Sequence, residues 1–242
     1  MVELSKKEKV YCMGMTEQGL AGLANPVWAA LHGGQRQLAQ PLGAMRRYPP
    51  DVAPFAAVPE EGMPVPAGDL ALLREDVFFV GAIPAVPPGW EVRELGGVTQ
   101  MVYTGGAIAA PPREGVTLLD PLDPAMQELT DVAFPGYFRA RTGTMGRYFG
   151  IFDQGRLVAL SGERMDMGEA REVSAVCTRP GYMGRGYAAL LVRHVMHAMQ
   201  EDGITPMLHV GSGNARAIGI YEALGFIRVR QLRHARLVLP PP

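Results

Sequence analysis

Gly184 and Gly186 stand where a strand-like run passes into a helix-like one, which is a place where a protein chain can hold an anion. Upstream, Glu172 to Thr178 alternates and is β-branched; downstream, Leu190, Leu191, Val195, Ala198 and Met199 recur at helical spacing. Glycine at 184 and 186 lets the main chain approach a bulky group with no Cβ in the way. The first helical turn adds unpaired N–H groups at the positive end of the helix dipole. The chemistry this offers is the binding of a pyrophosphate. Two other phosphate signatures are excluded, since no Gly-Lys-Ser/Thr follows and only two of the three dinucleotide-fingerprint glycines can be placed.

The groups able to react lie close by in sequence. In a regular strand Glu172, Ser174, Val176 and Thr178 share one face, and Val173, Ala175 and Cys177 the other. Glu163, near the end of the preceding strand, is expected across from Glu172, because only a short turn around 165–169 separates them. Either carboxylate can accept a proton as a general base, and either can be solvated or salt-bridged beside Arg164 or Arg171; both readings stay open. Cys177 reads as a small buried hydrophobe, with no partner histidine to make it a nucleophile. His194 and His197 are one helical turn apart but lack a third ligand, so His194 is assigned to packing, His197 to solvent, and no metal is expected.

The chain has 242 residues, 48% hydrophobic, with a formal charge of -1. It can bury a substantial core and offers no broad electrostatic reason to bind nucleic acid or anionic membrane. No apolar run approaches the roughly 20 residues that span a bilayer. The first ten residues lack the apolar core of a secretion signal, and the two cysteines, Cys12 and Cys177, make a disulfide framework improbable. The expected compartment is the cytoplasm.

Residues 1–20 read as a flexible leader. The prolines and small residues of 105–115 mark a junction between an N-terminal α/β lobe, 21–112, and a second unit, 113–239. In the first lobe a helix is expected from Asn25 to about Gln40, strands at 77–80 and 90–95, and a short helix or another strand at 95–103. The proline-rich 46–55 is expected to lack regular structure, with Arg46, Arg47 and Tyr48 either lining a substrate cleft or lying in a solvated loop. The second unit reads as strand 116–119, a helix opened by Asp123-Pro124, and strands 147–152 and 156–164. Strand 170–178, helix 188–201, strand 205–210, helix 214–224 and strand 226–239 follow. Residues 137–144 are a candidate lid.

Met183-Gly-Arg-Gly-Tyr-Ala188 resembles motif A of the GNAT superfamily, the acyl-CoA-dependent N-acetyltransferases, whose Arg/Gln-x-x-Gly-x-Gly/Ala wraps the pyrophosphate of coenzyme A. Met183 stands in the Arg/Gln place, a departure at a position used largely through its backbone N–H. Asn214-Ala-Arg-Ala-Ile-Gly-Ile-Tyr-Glu-Ala-Leu-Gly-Phe226 resembles motif B, in the right order. The resemblance covers roughly 116–237. It implies an α/β (α+β) fold with a mixed central sheet flanked by helices, the N-terminal lobe being a degenerate relative.

The resemblance also implies acetyl-CoA as co-substrate, held by Val176, Cys177, Thr178, Met183, Gly184, Arg185, Gly186, Tyr187, Ala188, Asn214, Ala217 and Tyr221. In the family the strands on either side of the cradle splay apart to admit pantetheine, and a backbone N–H near Val176 to Thr178 meets the thioester carbonyl. Tyr221 returns a proton to the departing thiolate, and Glu172 or Glu163 is the base. The implied reaction is direct acetyl transfer to an amine, small molecule or peptide, in a ternary complex, with no nucleic acid or membrane partner and with a homodimer allowed. The alternative is a non-catalytic acyl-CoA sensor or interaction module.

Overall fold

The computed structural model describes residues 15–240. The first half runs α1 (Glu17–Gly22), α2 (Pro26–His32), a 3-10 turn (Arg36–Leu38), β1 (Gln40–Leu42), β2 (Met45–Arg47), β3 (Ala56–Ala57), α3 (Ala67–Leu70), β4 (Val77–Val80) and β5 (Glu91–Tyr103). The second half opens with β6 (Thr117–Leu118), α4 (Pro124–Ala133), a 3-10 turn (Thr142–Met145), β7 (Tyr148–Asp153), β8 (Arg156–Asp166) and β9 (Ala170–Thr178). A 3-10 turn (Pro180–Tyr182), α5 (Tyr187–Glu201), β10 (Thr205–Gly211), α6 (Ala215–Ala223) and β11 (Phe226–Val238) complete it.

β1 to β3 form a small antiparallel sheet. The other eight strands make one mixed sheet in the order β4-β11-β5-β10-β9-β8-β7-β6, in which only β9 and β10 run parallel. The expected mixed α/β sheet flanked by helices is thus present, and the first half is built into it. β5 lies between β10 and β11, with Val102 opposite both Met207 and Ile227. The connection between the halves is held on α5, where His194 and His197 donate to the carbonyls of Pro112 (2.8 Å) and Ile108 (3.1 Å). His197 therefore has a partner where solvent was expected.

Helix limits follow local chemistry. The Asp123 side chain accepts from the Ala125 N–H at 2.9 Å and Pro124 supplies a first-turn φ, so α4 begins there. In α5, Leu191, Val192, Val195, Met196 and Met199 fall on one buried stripe, and Gly203 at φ +73° follows its end. That stripe packs with Val173, Leu208, Met101 and α6 on one face of the sheet. The opposite face carries α4 over Leu160, Ala175 and Cys177, and α2 with the 48–57 loop beside Met165. Gly162 is required by this packing, since a Cβ there would stand 2.2 Å from the Tyr148 ring.

Several expectations are corrected. Residues 15–20, assigned to the leader, are ordered: the Thr16 N–H donates to Glu169 at 2.7 Å and Leu20 is buried; residues 1–14, with Cys12, lie outside the described part. The helix from Asn25 stops at His32, because Gly33-Gly34 follows and Gly34 passes so near Asp166 that a Cβ would collide with it. Arg46 and Arg47 belong to β2, and Tyr48 neither lines a cleft nor meets solvent; it is fully buried, with its hydroxyl on Gln35 Oε1 at 2.6 Å. Residues 95–103 are strand throughout. The candidate lid is pinned to the first half, with the Arg141 N–H on Asp51 O (2.8 Å) and the Thr142 hydroxyl on Val52 O (2.6 Å).

Candidate active site

β9 and β10 pair only over Ala170–Glu172 and Thr205–Met207. Beyond that point Val173–Thr178 and Leu208–Gly211 separate, leaving a V in the middle of the sheet. β9 also carries a bulge, since Leu160 faces Cys177 while Gly162 faces Ser174, and Ala175 takes up the extra residue at φ +54°. A non-glycine residue there stores roughly 1–3 kcal/mol of strain. The bulge also breaks the two-residue alternation: Glu172 shares a face with Ala175 and Cys177, and Val173 with Val176. The regular alternation expected for this strand therefore holds only up to Ser174.

At the open end of the V lies a cavity of about 390 Å³. Val176, Cys177 and Thr178 form one wall; Met183, Gly184, Gly186, Tyr187 and Ala188 form the floor; Asn214, Ala217 and Tyr221 face them. Eleven of the twelve residues expected around the co-substrate meet here. The exception is Arg185, whose guanidinium lies 4.7 Å above the Tyr182 ring. Gly186 is the N-cap of α5 at φ +79°, with no side chain capping the first turn and open space where its Cβ would be. The amides of Tyr187 to Ala189 thus present an uncapped helix end to this cavity. The Met183 N–H contacts Pro180 O at 3.3 Å, a long bond that a better acceptor can replace. The Asn214 side chain accepts from the Ala217 N–H at 3.1 Å and so fixes the start of α6.

Tyr221 is 8% exposed, and burial, with Cys177 beside it, pushes its phenol up to about 12. It holds its proton at neutral pH. Burial likewise pushes the Cys177 thiol up to about 12, against the pull of Arg179, so little thiolate is available.

The two candidate carboxylates lie on opposite faces of the sheet. Glu163 pairs in register with Val173 and sits on the α5 face, bonded to Arg147 Nε (2.7 Å) and Arg171 (3.0 Å). Glu172 is 1% exposed on the other face. Arg164 holds it through both carboxylate oxygens at 2.7 and 2.9 Å, and His209 Nδ1 donates to it at 2.8 Å. Burial alone would raise the Glu172 carboxyl, but Arg164 and His209 outweigh it and hold it well below the usual carboxylate range. The salt-bridged reading thus describes the geometry of both groups. Sequence reasoning missed His209, whose only signal was its place on β10 two residues past Met207, and the contact between Tyr137 and His234.

Several known proteins resemble this chain. Residues 148–235 match the model of the FR47-like protein family. A crystal structure from Novosphingobium aromaticivorans DSM 12444, assigned as an acetyltransferase of the GNAT family, is 37% identical over 89% of this chain and 97% of its own, with a TM-score of 0.79. A GCN5-related N-acetyltransferase from Kribbella flavida (17% identity, 95% and 98% covered, TM-score 0.56) shares the fold. So does a GCN5-related N-acetyltransferase-like protein from Streptococcus suis 89/1591 (15%, 93% and 100%, 0.50). No curated protein sequence matches. With 37% identity to a GNAT-family structure over 89% of its length, and with the V, the bulge and the glycine cradle in place, the chain belongs to the GNAT family.

Proposed function

We propose that the protein transfers an acetyl group from acetyl-CoA to an amine by direct attack within a ternary complex. One observation carries this reading: a single cavity is lined by the uncapped end of α5, by Tyr221 and by the part of β9 that β10 leaves unpaired. The diphosphate would lie on the amides of 187–189, the pantetheine arm would pass between Val176 and Asn214, and the thioester would meet backbone donors near Cys177. A fixed donor to the developing oxyanion contributes about 3 kcal/mol.

Tyr221 would protonate the leaving thiolate. The acceptor must be neutral to attack, and an amine with pKa near 10.4 is uncharged in fewer than about 1 in 1,000 copies at pH 7, so the site must take up its proton. A small-molecule or peptide amine fits a protein of formal charge -1 better than nucleic acid does. Among the described residues no helix is long and apolar enough to cross a membrane. Thiol release from acetyl-CoA across a panel of amines, in wild type and Tyr221→Phe, tests the reading. Amine-dependent release, reduced in the variant with the acetyl-CoA Kd unchanged, supports it; tight CoA binding with no release for any amine favours a sensor.

A further inference from the structure

We propose that the protein has a second small-molecule site, where the segment after α4 meets β4 and β11, and that it binds a monocarboxylate with an apolar body. The site is a cavity of about 380 Å³ that shares no lining residue with the one at the open end of the V. Phe78 on β4 and Pro135 just past α4 give it apolar surface, and Glu75, Asp76, Arg139 and Arg236 give it charge. Charged groups converging beside an aromatic ring in a concave space are the usual form of a small-ligand site. The lining is fixed before any ligand arrives. The Arg139 N–H donates to the Thr142 hydroxyl at 2.7 Å, and that hydroxyl in turn donates to Val52 O. The Tyr137 ring packs 4.7 Å from Phe78, and Arg236 stands opposite Phe78 in the register of β4 and β11.

The lining charges are not equivalent. Both carboxylates are engaged on each oxygen: Glu75 meets Arg47 at 3.0 Å and Arg139 at 3.3 Å, and Asp76 accepts from the Leu239 N–H at 2.8 Å and from Arg236 Nε at 2.6 Å. The guanidiniums keep donors in reserve. Among the described residues the Arg139 side chain is paired with Glu75 alone, and its Nε–H, shielded from solvent, has no acceptor. Arg236 turns one edge to Asp76 and lies 5.8 Å from the Phe78 ring centroid, with Nη1 unused. Spare donors beside occupied acceptors call for an anion rather than an amine. Two guanidiniums face two carboxylates, and Arg47 behind Glu75 adds a third cation, so the surplus is small. It suits a planar carboxylate, which a guanidinium fork matches, better than a phosphate dianion that the neighbouring acids would repel.

The test uses the full chain with nitrogen-labelled arginine, followed by NMR at pH 7, with 3-phenylpropionate as the probe. Its addition should displace the Arg139 Nε–H signal saturably, whether or not acetyl-CoA is present. The neutral isostere 3-phenylpropanamide should bind at least about tenfold more weakly, and inorganic phosphate should leave the signal in place. Arg139→Met identifies the signal by removing it, and it should raise the probe Kd at least about tenfold, as should Arg236→Met, with the acetyl-CoA Kd within about twofold of wild type. If Arg139→Met does not fold, Arg139→Lys identifies the signal and the half-exposed Arg236→Met carries the comparison. No saturable displacement, equal binding of acid and amide, a stronger response to phosphate, or displacement of the probe by acetyl-CoA overturns the proposal. None of these results bears on the transferase reading, which stands or falls on acetyl-CoA itself.

Discussion

Glu172→Gln separates a clamp from a base. In the wild type the carboxylate is 1% exposed and the Arg164 side chain 15%, joined by two short bonds. Neutralising one member of a buried pair strands the other charge, at a cost of about 3–5 kcal/mol. For a chain of 242 residues each kcal/mol moves Tm by about 2 °C, so calorimetry should show a fall of about 6–10 °C at pH 7. The effect depends on pH with a definite sign. The folded carboxyl lies below its unfolded value, so its stabilisation is complete above about pH 4.5 and lost as pH falls toward the folded value. The gap in Tm between wild type and variant should narrow as the buffer is taken below pH 4.5. Arg164→Met combined with Glu172→Leu should recover most of the loss. A Glu172→Gln protein that melts within 1–2 °C of wild type yet turns over about 100-fold more slowly would refute this reasoning and make Glu172 the base.

Cys177→Ala should leave thiol release within about twofold of wild type: a thiol at about 12 is ionised in roughly 1 in 100,000 copies at pH 7, too few to carry an acyl group. Asn214→Ala removes the cap of α6 and should cost about 1 kcal/mol, read as a small drop in Tm, together with weaker acetyl-CoA binding by calorimetry. Gly186→Ala meets no neighbouring atom but must hold φ +79°, so about 1–2 kcal/mol of stability should be lost. Its acetyl-CoA Kd should rise at least tenfold as the methyl group enters the cradle.

The second half was legible in the sequence because its signals are local. β9 spans the expected 170–178, and α5, α6 and β11 begin within a residue or two of their expected starts, each set by a glycine, a cap or a change of period. The first half was harder for a physical reason. Tyr48, Val52 and Phe55 occupy a proline-rich segment that looks solvated, yet they are buried because a long-range surface covers them. The 13-residue β5 has a two-glycine interruption at 96–97 and no strong alternation, and its conformation is imposed by the partners on either side. At the site, the glycine cradle could be named from its own residues, and Tyr221 from the resemblance of Asn214 to Phe226 to a family motif. The partition of Glu163 and Glu172 between faces could not, because it depends on register and on one bulged alanine.

The interposition of β5 between β10 and β11 has a cost during synthesis. β5 and β11 are separated by more than a hundred residues, so β5 must wait for a partner made long after it. A fragment beginning near residue 113 would carry the cradle and Tyr221 but leave one side of β10 without its hydrogen-bonding neighbour, an open template for aggregation.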